Sequence, residues 1–197
     1  MKLLTPVSQR LGLFAFVLAT NVCALAANQD ATLSINALIS DKAGLGCEMT
    51  LPESVLQFTP LQANKLTGTI QTYQIKPLIV KLSCVDETEA LKPTLTLQGR
   101  TPYAGDTQQA VFLDETPNGV GFMVRQSLDD QPIALADFYR PDEAIGNEGK
   151  GQSLTVLNND NQYQTETRLW VGVVGPLQPE IIPGHFHASL TLNVAFQ

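Results

Sequence analysis

The sequence is poor in the residues that carry chemistry. It has two histidines, three cysteines and one tryptophan in 197 residues. It contains no G-x-S-x-G, no H-E-x-x-H and no glycine-rich phosphate loop, so hydrolase and nucleotide sites built on those motifs are excluded. A periplasmic hydrolase on a β-sandwich is the enzyme reading left, and the missing motifs weigh against it. No enzyme activity, cofactor or metal is expected. Positive charge is also scarce, with 12 Lys and Arg against 19 Asp and Glu and a net charge of −7. Nucleic acid and anionic membranes both want a basic footprint, so neither is an expected partner. Long apolar runs and helical stripes are missing. The one apolar run of note, Leu11 to Thr20, is too short to span a bilayer.

That run has a leader with Lys2 and Arg10 and is followed by Ala24-Leu25-Ala26. Residues 1–26 therefore read as a secretion signal with a small-x-small cleavage site. Cleavage would leave 197 − 26 = 171 residues and, with two positive charges lost, a net charge of −7 − 2 = −9. Cys23 would leave with the signal. Cys47 and Cys84 would remain in an oxidising compartment, where one disulfide is the default. A two-cysteine metal or redox site is the rival, without a C-x-x-C to support it.

What is abundant is alternation. Phe186, Ala188, Leu190, Leu192, Val194 and Phe196 alternate with polar or small residues up to Gln197. Period two sends one set of side chains to each face of a strand. Similar patterns run through Ala31 to Ala37, Leu78 to Cys84, Leu95 to Leu97, Val120 to Val124 and Leu169 to Val173, with short pairs at Ile133/Leu135 and Leu154/Val156. Turn clusters separate them, such as Thr116-Pro117-Asn118-Gly119 and Asn158-Asn159-Asp160-Asn161. The stretch from Asp137 to Gln152 reads as a long surface loop. Short strands with such punctuation predict an all-β antiparallel sandwich. The last strand should be an apolar edge, and such an edge is a template for pairing with another chain.

Several of these segments resemble those of chaperone–usher fimbrial subunits, the pilins. ATLSINALISDKAGLGC resembles an N-terminal extension leading to the first half-cystine, and IKPLIVKLSC the strand that ends at the second. GVGFMV followed by QPIAL resembles a mid-domain hairpin. In PGHFHASLTLNVAFQ a glycine, Gly184, stands fourteenth from the end and an aromatic, Phe196, next to last, as in the C-terminal signature of the family. The likeness is nearest to minor tip or adaptor subunits of type 1-like fimbriae. Ala37 stands where the family often has glycine, and Phe196 where it often has tyrosine.

The resemblance implies an incomplete immunoglobulin-like sandwich that lacks its last strand and takes a donor strand from another chain. It implies a signal over 1–26, a donor extension over 27–37 and a pilin domain over 38–197. The donor side chains would be Ala31, Leu33, Ile35 and Ala37. The groove would be lined by Gly184, Phe186, Ala188, Leu190, Leu192, Val194 and Phe196, with the carboxylate of Gln197 held by basic residues of a periplasmic chaperone. The implied partners are that chaperone, an outer-membrane usher and neighbouring fimbrial subunits, and the implied place is a fimbrium on the bacterial surface. The alternatives are an adhesin that binds host glycan directly and an anchor that terminates assembly.

Three further features have bland readings. His185 and His187 share one strand face but lack a third zinc ligand, so a polar outward face is expected. Asp129-Asp130 reads as a turn before Gln131-Pro132 rather than a carboxylate pair. Trp170, on the face opposite Leu169 and Val171, reads as packing rather than a sugar platform.

Overall fold

The computed structural model describes residues 28–39, 46–85, 87–127 and 129–196. The signal segment 1–26 and Gln197 lie outside them. The described residues form nine strands: β1 (Asn28–Ile39), β2 (Cys47–Thr50), β3 (Val55–Gln62), β4 (Gln71–Cys84), β5 (Pro93–Gln98), β6 (Gly121–Gln126), β7 (Gln152–Ser153), β8 (Gln164–Gly175) and β9 (Phe186–Phe196). They form a five-stranded sheet in the order β3-β1-β9-β5-β7 and a four-stranded sheet in the order β2-β4-β8-β6. All neighbours are antiparallel except β1 and β9, which run parallel.

Alternation becomes burial where a sheet has one wet face. On β9 every odd position of the strand, Phe186 to Phe196, is buried, and the residues between are exposed or half-buried. Leu56 and Phe58 of β3, Leu95 and Leu97 of β5, and Leu78, Val80 and Leu82 of β4 do the same. The two sheets meet through aromatic rings. Phe122 of β6 lies 5.6 Å from Phe58 and 5.3 Å from Phe186, centroid to centroid. Cys47 stands opposite Cys84 in the β2–β4 ladder and is disulfide-bonded to it.

The second sheet is wet on one side only in part. From Leu169 to Gly175 β8 is buried on both faces, and so is β6 from Gly121 to Arg125. The cover is the segment expected to be a surface loop. It carries a short helix, α1 (Leu135–Phe138), and its Phe138 is fully buried over β8. Gly172 makes this approach possible, because a Cβ there would stand 2.3 Å from the Phe138 ring. Arg125, 6% exposed, pins the strap by donating to the carbonyls of Asp137 (2.7 Å) and Phe138 (3.0 Å) and by pairing with Glu143.

Other expectations are corrected. Ile133 and Leu135 form no strand, and Leu135 instead opens α1, so GVGFMV and QPIAL make no hairpin. The strand near Leu154 is Gln152–Ser153, a two-residue stub. Strands β2 and β3 were not expected. The last strand is not an edge, because β1 pairs with one side of β9 and β5 with the other. The strand expected from another chain is here supplied by the chain's own N-terminal segment.

Candidate functional site: the slot between β3 and β9

Strand β3 touches β9 nowhere in the sheet ladder, since β1 separates them. Without β1 the first sheet would be a lone strand, β3, beside a three-stranded remnant, β9-β5-β7. The slot is therefore one strand wide, with β3 as one wall and β9 as the other. The second sheet is its floor.

β1 fills the slot from both sides. It pairs with β9 from Ala31↔Phe186 to Ile39↔Val194. Along the other edge it pairs with β3 from Asn28↔Gln62 to Ser34↔Val55. Ala31, Leu33 and Ile35 point inward and are 1%, 0% and 3% exposed. A small side chain suits position 31. Ala31 is level with Phe58 on one wall and Phe186 on the other, and Phe122 contacts both rings. Burying Leu33 and Ile35 contributes roughly 1.5–3 kcal/mol each.

Ala37 does not join them. It lies level with Leu192 but is exposed, and Leu38 beside it is 53% exposed. The last link from β1 to the β3 side is the Ile35 amide donating to the Ser54 carbonyl at 2.8 Å. Beyond it, among the described residues, β1 is paired only with β9. The side chains of β1 that fill the slot are thus Ala31, Leu33 and Ile35.

The groove residues read from the sequence come together as one face. Phe186, Ala188, Leu190, Leu192, Val194 and Phe196 are all buried along β9. Gly184 stands just ahead of the strand with φ +157°. The wall that sequence reasoning missed is β3. Its signal, Leu56 and Phe58 in alternation, is short and is followed by Pro60.

The remaining candidates fall to their structural readings. His187 Nδ1 lies 2.6 Å from Glu115 and Nε2 lies 3.6 Å from Asp114, which tie an exposed loop to the outer face of β9. No group of three or more His, Cys, Asp or Glu able to hold a metal occurs among the described residues. Asp129 accepts from the Ser127 hydroxyl (2.5 Å) and the Gln131 amide (3.2 Å), a turn that holds its carboxyl below the usual carboxylate range, chiefly through Ser127. Trp170 is 7% exposed and its indole N–H is buried without a hydrogen-bond partner among the described residues. Its ring is packed in rather than offered as a platform.

No protein-family model matches the sequence and no curated protein does. Among solved structures, the P pilus rod subunit PapA matches at a TM-score of 0.52 and 13% identity, over 77% of this chain and 99% of that one. The fold of this chain is like that of this rod subunit. A chaperone–usher pilus structure, described for its rod uncoiling, also matches, at a TM-score of 0.48 and 13% identity, over 98% of this chain and all of that one. At 13% identity the likeness to PapA is one of fold, an immunoglobulin-like sandwich.

Proposed function

We propose that the chain is a structural subunit of a bacterial adhesive fimbria and polymerises by exchanging its N-terminal strand. The observation that supports this most is the slot. A sandwich built from the described residues between 47 and 196 leaves one strand position open between β3 and β9, and the N-terminal segment carries apolar plugs that fit it. A strand joined to its body through residues 40–46 can fill its own slot, as here, or the slot of another copy or a related subunit. The second choice is strand addition, with main-chain hydrogen bonds for affinity and alternating pockets for specificity. It is head-to-tail and does not close on itself, which generates a filament.

In this reading residues 1–26 direct export and are removed, 27–37 are the donor extension and 38–197 are the pilin domain. A periplasmic chaperone fills the slot before assembly and holds the carboxylate of Gln197, and an outer-membrane usher hosts the exchange. Neighbouring subunits are the final partners, on the cell surface, and the role calls for no catalysis. The C-terminal pattern from Gly184 to Phe196 supports the same reading.

The test uses the mature chain, residues 27–197. Gentle warming at high concentration releases β1, and cooling lets it reseat. Native mass spectrometry should then show a ladder of linear multimers. A chain with Leu33→Asp and Ile35→Asp should form none alone and should cap the growing ladder when mixed in. A wild-type chain that returns only to monomer at every concentration would overturn the proposal.

A further inference from the structure

The slot needs two walls, and one of them has no sheet partner once β1 leaves. β9 keeps β5. Among the described residues β3 keeps no strand at all. What ties β3 to the rest of the molecule is therefore decisive for any strand that enters.

Two irregularities meet at this wall. In the β1–β3 ladder the register shifts so that Thr59 and Pro60 fall between the paired residues Phe58 and Leu61. In the β4–β8 ladder it shifts between Thr72 and Gln74, leaving Tyr73 as the extra residue. A bulge re-aims the side chain next to it. After the β4 bulge, Gln74 and Lys76 share the strand parity of Leu78, Val80 and Leu82, whose side chains face the core. Polar residues in the inward register need partners, and both have found them on β3. The Thr59 amide donates to Gln74 Oε1 at 2.9 Å, and Gln74 Nε2 donates to the Thr59 carbonyl at 2.6 Å. Lys76 Nζ lies 5.6 Å from the centroid of the Phe58 ring.

A carboxamide presents the same donor and acceptor pair as a peptide group. Gln74 thus does for Thr59 what a neighbouring strand does, but from the opposite sheet. We propose that Gln74 is the positioning residue of the slot: its clasp on Thr59 holds β3 one strand away from β9 while the seat is empty, so that the next strand meets a formed groove. The clasp also takes up main-chain groups on the outer edge of β3, and Pro60 beside it offers no N–H. That edge is thereby blunted against wrong pairing.

The proposal rests on the reading of the slot as an exchangeable seat, and its test separates the two. Amide hydrogen exchange is followed by mass spectrometry on the mature chain, segment by segment. With Leu33→Asp and Ile35→Asp, β1 should lose protection while Val55–Gln62 keeps most of its own. Adding Gln74→Met should then speed exchange across Val55–Gln62 by about tenfold or more, the worth of two lost hydrogen bonds, and leave β5 and β8 unchanged. Gln74→Glu keeps the acceptor for the Thr59 amide and loses the donor to its carbonyl, so it should fall between. Equal protection of β3 with and without Gln74→Met would overturn the clasp, and so would a loss spread evenly over both sheets. If β1 stays protected despite two buried aspartates, the exchangeable seat fails instead. The effect of Gln74→Met on β3 in that background still decides the clasp.

Discussion

Single residues decide how closely the layers approach. Gly172 is the clearest case, because Phe138 occupies the space where a Cβ would stand. Gly172→Ala should force the strap off β8 and cost roughly 1–3 kcal/mol by overpacking. Thermal unfolding should show this as a lowered Tm, and Phe138→Leu in the same chain should recover part of the loss. Tyr103 acts through its hydroxyl, which donates to the Val120 carbonyl at 2.6 Å and accepts from the Gly119 amide at 3.1 Å. Burial, its largest influence, pushes its pKa above the usual tyrosine value. A folded pKa raised above the unfolded one gives stability that is fully present below about pH 10 and is lost as pH rises through the folded value. Tyr103→Phe should be less stable at neutral pH, and its urea midpoint should fall less steeply than the wild type's above pH 10.

At the scale of elements, local pattern and long-range contact part ways. The alternation of β9 and β5 is visible in the residues themselves, because each strand has one buried face. The double burial of β8 and β6 is not, since it depends on a strap held by Arg125 and Phe138 from a stretch with no periodic signal. β2 is only four residues long, and β3 has two buried apolar residues before its proline, so neither shows a pattern long enough to read. The disulfide joins β2 to β4 and closes a sequence separation of 37 residues. In the chain-entropy model such a link is worth about 4 kcal/mol. Cys47→Ser and Cys84→Ser should lower the yield of folded protein equally, and unequal recovery from the periplasm would show that each cysteine does something beyond the link.

For the whole molecule the consequence is a first sheet whose two parts are joined by one strand, β1. A domain is worth about 5–15 kcal/mol. Withdrawing Leu33 and Ile35 exposes those side chains and uncovers the inner faces of β3 and β9, a loss of several kcal/mol that leaves a weakened sandwich. A chain lacking Ala27 to Ala37 should therefore fold with a smaller margin and in lower yield, unless a strand is supplied in trans. Adding a synthetic peptide of residues 27–39 during refolding should raise the yield of soluble monomer several-fold. No gain with the peptide would show that the rest of the sandwich closes by itself.

The amino-acid sequence by itself determined the strand-rich class, the inward faces of β9 and β1, and the cysteine pair, because alternation and composition are properties of neighbours along the chain. Only the tertiary structure decided that β3 is the second wall, that Ala37 overhangs rather than plugs, that Gln74 reaches across the sandwich to Thr59, and that the N-terminal strand here lies in its own chain's slot. Those outcomes depend on which backbone groups far apart in sequence come within hydrogen-bonding distance. A period of two leaves that choice open, because it says which face of a strand is apolar and nothing about which strand lies beside it.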